Sequence, residues 1–216
     1  MKFTDFGVEK IENRSLKDTL YIRIRDLILN NEFAIGEKIT KDDLAKRFGV
    51  SPTPVNDALN RLVGEHYLAL ESRKGYFVRE YDRKEYRDLF AMRAAIEGMA
   101  AKLICEQNNE EHISELVHMF DAFNEDNVND NEEAYIEADM NFHAKIIMYS
   151  ENSLFLETAQ SQGFLWRSYQ KGLAKNPSTS LREHMAIIEA FKIKDGDRAQ
   201  KAVLDHLMHS REKFRD

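Results

Sequence analysis

Four residues of this 216-residue chain have the types and spacing of a metal site. Asp139 and His143 stand four apart in EADMNFHAKI, so a helix sets both on one face. His184 lies in LREHMAIIEAF and His206 in KAVLDHLMHS, each within an apolar pattern of helical period. One carboxylate and three imidazoles suit zinc first, with nickel, manganese or iron as alternatives, and such ligands converge in the interior of a helical bundle. Imidazole has an unperturbed pKa near 6.5, so binding should weaken as the medium becomes acidic. His209, one turn beyond His206, competes with it for the fourth position, whereas His66, His112 and His118 read as ordinary polar residues. A centre of this kind can activate water for hydrolysis. No carboxylate or lysine has the spacing of a dedicated general base, however, so no catalytic residue is assigned and a metal-dependent hydrolase is the lesser reading.

The elements that must position these ligands are helices. From Tyr81 onward strand alternation is absent and Pro and Gly are scarce. Helical runs are predicted over about 83–107, 109–126, 130–149, 152–173, 179–194 and 197–215. The breaks fall at Asn108-Asn109, the polar NEDNVNDN stretch, Ser150-Glu151-Asn152, Lys175-Asn176-Pro177 and Lys194-Asp195-Gly196. Short connections between consecutive helices make an antiparallel bundle of six to seven helices the expected architecture.

The first 80 residues follow a different plan. Leu16, Leu20, Ile24, Leu27 and Ile28 mark an amphipathic helix over about 15–30, followed by a turn at Ala34-Ile35-Gly36. Thr40 caps a short helix, 41–48, that Gly49 ends. Ser51 caps the next, with Pro52 at the first helical position, where its missing N–H costs nothing. YLALES and YFVREY then form a hairpin across Arg73-Lys74-Gly75. Helix, short helix, tight turn, helix and hairpin is the layout of a winged helix-turn-helix. With Val55, Ala58, Leu59 and Leu62 facing inward, Thr53, Asn56, Asp57 and Asn60 face outward and Arg61 lies near the edge. Asn can bridge N6 and N7 of adenine, and Thr can meet a thymine methyl or a phosphate. The candidate DNA-binding set is Lys46, Arg47, Ser51, Thr53, Asn56, Asn60, Arg61, Arg73, Lys74 and Gly75.

Charge separates the two regions. Residues 1–80 carry 14 Lys+Arg against 13 Asp+Glu, and residues 81–216 carry 17 against 25, so nearly all of the net −7 lies in the second region. That excludes a polybasic nucleic-acid coat but not a local DNA-reading face. No apolar run approaches the roughly 20 residues of a membrane-spanning helix, and the N-terminus lacks the pattern of a signal peptide. The single cysteine, Cys105, cannot form an internal disulfide, and a cytoplasmic setting is expected. Two domains follow, 1–80 and 81–216, in a mainly α protein.

IGEKITKDDLAKRFGVSPTPVNDALNRLVGEHYLAL…RKGYFV resembles the DNA-binding domain of GntR-family transcriptional regulators, over about residues 15–80. Pro52 and Asn56 stand where that family usually has arginine, and Asp57 where it has glutamate. The resemblance therefore implies either an operator richer in A·T than is usual or weaker intrinsic binding. Residues 83–215 resemble the FCD ligand-binding domain of the FadR subfamily. LFAMRAAIEGMAAKL is similar to its R-x-x-[IL]-E-x-x-A-A helix, DMNFH to its D-x-x-F-H, and LREHMAIIEAFKIKDGDRAQKAVLDHL to its E-H…H-L stretch.

The resemblance implies that Asp139, His143, His184 and His206 are the metal ligands, with the register of Ala199 and Ala202 favouring His206 over His209. Arg93 matches an arginine that often faces the effector, although a salt bridge to Glu97 accounts for it equally well. The implied protein is a homodimeric transcriptional regulator that reads a near-palindromic double-stranded operator and answers a small carboxylate effector at a divalent metal. A metal sensor is the alternative.

Overall fold

The computed structural model describes residues 15–30, 32–161 and 175–214. Residues 162–173 of the helix expected over 152–173, and the N-terminal segment read for a signal peptide, lie outside them. The chain divides into two compact units, Met1–Glu80 and Tyr81–Asp216.

In the first unit, helix α1 (Leu16–Leu29) packs on α3 (Pro52–Gly64), with α2 (Lys41–Phe48) between them in sequence. The Thr40 hydroxyl accepts from Asp43 N at 3.2 Å to start α2, and Gly49 ends it with φ 67°, a left-handed conformation that glycine adopts without strain. The one-residue step to Ser51 then redirects the chain into α3. Val55, Leu59 and Leu62 are fully buried along α3, which fixes its opposite face outward. Ser51 occupies the N-cap position, but its side chain makes no capping bond, contrary to expectation.

Strands β2 (Leu68–Glu71) and β3 (Gly75–Val78) form the expected hairpin, pairing Leu68 with Val78 and Glu71 with Gly75. At its tip Arg73 has φ 64° and Gly75 φ 107°. A third strand, β1 (Lys38–Ile39), pairs antiparallel with β3 and makes the sheet order β1-β3-β2. Two residues are too short for a periodic signal. Their pairing and the burial of Ile39 make this segment a strand.

The elements among the described residues of the second unit are all helices: α4 (Arg83–Gln107), α5 (Glu110–His118), α6 (Glu132–Tyr149), α7 (Ser153–Ser161), α8 (Pro177–Lys192) and α9 (Gly196–Glu212). A capping box between Asp82 and Glu85 starts α4, and Asn108 closes it with φ 56°. Asn176 caps α8, with Pro177 opening it two residues before the expected start, and the Asp195 side chain caps α9.

Helix α5 stops at His118, well short of 126. The chain then passes through tighter turns (Met119 N to Leu116 O, Phe123 N to Phe120 O) that carry Phe120 into the core. Helix α9 lies along α4, and Gly98 permits the approach: a Cβ there would meet Gln200 O at 3.3 Å. Phe120, Tyr135, Phe142, Ile187, Phe191 and Val203 belong to one buried cluster, and the candidate ligands project into the same interior. No described helix is long and apolar enough to cross a membrane.

Candidate metal centre and nucleic-acid interface

Helix α6 supplies Asp139 and His143 from one face, α8 supplies His184 and α9 supplies His206. All four are buried, with exposures of 2%, 1%, 0% and 4%. One ligating atom from each lies within 4.8 Å of those of the other three. Asp139 Oδ1 is 3.0 Å from His184 Nε2 and 3.9 Å from His143 Nε2, and the two Nε2 atoms are 3.4 Å apart. Metal–nitrogen bonds of about 2.1 Å set neighbouring donors about 3.0 Å apart in an octahedron and about 3.4 Å apart in a tetrahedron. The separations among Asp139, His143 and His184 bracket these values, and His206 lies within 4.8 Å of all three, so the donor types and their convergence fit a first-row divalent ion.

Each imidazole is held from behind. His143 Nδ1 lies 2.5 Å from Glu97 Oε2, His206 Nδ1 2.7 Å from Glu183 Oε2, and His184 Nδ1 2.8 Å from the Tyr135 hydroxyl. A carboxylate accepts only, so His143 and His206 carry their proton on Nδ1 when neutral and leave the Nε2 lone pair for the cluster. Tyr135 is hydrogen-bonded in turn to Ser180, which is also buried. Burial and the Asp139 charge push the Tyr135 phenol up, keeping it neutral.

The electrostatics favour neutral imidazole at His184 and His206. Burial lowers His206 to about 4, although its bond to Glu183 opposes the shift, and burial beside His206 and His143 holds His184 well below the ordinary range. Burial alone would raise Glu97, but Arg93 and His143 outweigh it and bring the carboxyl down to about 2. Glu183 reaches about 2 in the same way: burial raises it, and its bonds to His206 and Lys175 prevail.

His209 is 60% exposed at its side chain and points its Nδ1 at the outer carboxylate Glu183, at 3.1 Å, so it does not join the cluster. Arg93 is 1% exposed and donates from Nε to Glu97 Oε1 at 2.7 Å. The expected salt bridge is present, and it places Arg93 at the base of the chain Arg93–Glu97–His143. Sequence reasoning did not find Glu97, Tyr135 or Glu183 as supports. Only the four-residue step from Arg93 to Glu97 carried a local signal.

On the first unit, Thr53, Asn60, Arg73, Lys74, Lys46, Arg47 and Ser51 are exposed, and Asn56 and Gly75 are partly so. Two of the cations are already paired, Arg47 with Glu32 and Lys74 with Glu71, each at 2.7 Å. Arg61 is exposed as well. Its guanidinium lies 3.7 Å from the centre of the Tyr21 ring and bonds Glu65 at 3.0 Å, which turns it toward α1. Asp57 is neutralised by Lys17 of α1 at 2.6 Å. Asn56 and Asn60 are joined through Tyr76 of β3, whose hydroxyl lies 3.0 and 2.8 Å from their side-chain oxygens.

Residues 16–78 match the domain of bacterial regulatory proteins of the gntR family, and residues 88–209 match the FCD domain. The chain belongs to the GntR family of transcriptional regulators. Its FCD domain fits the FadR subfamily, and its N-terminal unit is the family's DNA-binding helix-turn-helix. The regulator is 27% identical over 209 residues to YdhC of Bacillus subtilis, an HTH-type transcriptional regulator, covering 95% of this chain and 92% of that one. It is 23% identical over 206 residues to a probable D-xylose utilization operon repressor of Paenarthrobacter nicotinovorans, covering 93% and 91%. Escherichia coli McbR/YncC shares the fold, with a TM-score of 0.69 and 20% identity over 91% of this chain and 95% of that one. These relatives are regulators, not enzymes.

Proposed function

We propose that this GntR regulator acts in the cytoplasm as a homodimer on a near-palindromic operator, and that its FCD unit, 81–216, converts the binding of a small carboxylate into a change of operator affinity. The reading rests above all on one observation: three buried imidazoles are tied back at Nδ1 and converge on Asp139. Asp139, His143, His184 and His206 would hold a divalent metal, zinc first, with nickel, manganese or iron as alternatives. When bound, the metal supplies Lewis-acidic positions for a carboxylate in place of water.

The chain's own residues do the rest. Glu97, Tyr135 and Glu183 fix the ligand rings, Arg93 fixes Glu97, and Phe120 and Phe142 wall the site against bulk water. Arg93 thus enters through His143 and not as the effector's own partner. A hydroxy, keto or sugar acid is the effector class. Lys46, Thr53, Asn56, Asn60, Arg73 and Gly75 form the DNA-reading face, with Ser51, Arg47 and Lys74 at its margin. Two such faces related by two-fold symmetry read two half-sites.

The test is operator affinity. A duplex enriched from a random-sequence library would be titrated with zinc-loaded protein, alone and with a panel of hydroxy, keto and sugar acids. Coupling of about 1–3 kcal/mol, or roughly 5- to 150-fold, is expected from one of them. If no acid shifts operator affinity while the metal stays bound, the effector reading fails. One observation favours a metal sensor as the second reading: four converging protein donors can complete the shell of a small ion by themselves. Operator affinity would then follow zinc addition and chelation with no organic ligand.

A further inference from the structure

The recognition helix α3 does not act on DNA alone, because strand β3 of the wing holds its two asparagines. Tyr76 is 9% exposed, with its ring in the core of the first unit, and its hydroxyl reaches the side-chain oxygens of Asn56 at 3.0 Å and Asn60 at 2.8 Å. A phenol has one proton and cannot donate fully to two carbonyls. An asparagine amide, however, can be turned so that nitrogen and oxygen exchange places. With one amide turned, the phenol donates to one asparagine Oδ1 and accepts from the Nδ2–H of the other.

That arrangement has a consequence for base reading. Asn56 and Asn60 are four residues apart on one helix face, and the shared hydroxyl sets them in opposite senses. One asparagine keeps both N–H groups for the groove. The other keeps its carbonyl and one N–H, the two groups that meet N6 and N7 of adenine. Burial of the tyrosine ring fixes where the hydroxyl lies, so the amides are oriented before DNA arrives.

We infer that Tyr76 is a specificity-determining residue of this regulator, acting through Asn56 and Asn60 without touching a base. A wing contributes to operator choice here through a hydrogen bond to the recognition helix, in addition to any contact its tip makes with phosphate. The binding partner is a double-stranded DNA, and the affected base pairs are those that the two asparagines read.

The experiment uses the full-length protein and Y76F, which keeps the ring and removes the oxygen. Each selects duplexes from the same random-sequence library. Affinities for the wild-type-selected duplex and its single base-pair variants are then read by fluorescence anisotropy at several salt concentrations. Y76F should lose about tenfold discrimination at the base pairs that N56A and N60A also relax, with an unchanged salt slope. In an N56A/N60A background, the same Tyr-to-Phe change should then have no further effect.

Equal base preferences for Y76F and wild type would overturn the inference. So would a uniform weakening on every duplex that persists in the N56A/N60A background, because that result makes the hydroxyl a structural part of the wing.

Discussion

Replacing Glu97 with Gln separates the two things this carboxylate does. Glu97 is fully buried between the guanidinium of Arg93 at 2.7 Å and Nδ1 of His143 at 2.5 Å. Removing the charge leaves Arg93, itself 1% exposed, as a buried cation facing a neutral amide. Breaking a buried pair in this way costs about 3–5 kcal/mol, a large share of the roughly 5–15 kcal/mol that holds a typical domain folded. The same change weakens the outer support of His143, and losses of such support cost about 10- to 100-fold in metal affinity.

Denaturant unfolding of metal-free protein measures the first effect, and zinc titration against a competing fluorescent chelator measures the second. The double variant R93M/E97Q removes the cation along with the carboxylate charge. It should recover most of the lost stability but none of the lost zinc affinity. Wild-type zinc affinity in the double variant would refute the claim that Glu97 positions His143. Unchanged stability in E97Q would refute the buried-pair argument.

Acidification should destabilise the metal-free FCD unit in two stages. His206 titrates near 6.5 when unfolded and near 4 when folded, so between these values the unfolded chain binds more protons and stability falls with pH, by up to about 3 kcal/mol. Glu183 adds a further loss between about 4.5 and about 2, again because its folded value is the lower one. Unfolding midpoints that stay flat from pH 7 to pH 4 would contradict the His206 assignment, and flat midpoints from there to pH 2 the Glu183 assignment. On DNA, K46A and R73A should each reduce the slope of log affinity against log salt by about 0.9 if each side chain meets one phosphate. R61A should leave that slope unchanged, because Arg61 is held on the Tyr21 ring and Glu65; a reduced slope in R61A would put it back at the interface.

Most helix boundaries were legible because they depend on local chemistry: Thr40 and Asp43, the left-handed Gly49, the Pro at the head of α3, Asn108 after α4 and Asp195 before α9. The four candidate ligands were legible through the i, i+4 step of Asp139 and His143 and the family resemblance of the other two. Their common location required the tertiary fold, since α6, α8 and α9 converge from separate parts of the chain.

What was not legible depends on partners remote in sequence. Strand β1 exists through pairing with β3, and the end of α5 is set by the place for Phe120 against His184, where the rings stack 4.6 Å apart. Glu183 supports a histidine 23 residues away rather than its neighbour His184. Helical geometry placed Arg61 near the edge of the outward face, and its contacts with Tyr21 and Glu65 came only with the fold.

The proposed regulation requires Asp139, His143, His184 and His206 to hold a metal. Elemental analysis tests it most directly, on untagged protein that has never met a chelator, beside H143A/H184A/H206A and H209A. A stoichiometric divalent metal is expected in the native protein and in H209A, and none in the triple variant. A native protein without metal that also fails to take up added zinc would contradict it, and the converging histidines would then be a hydrogen-bonded polar core.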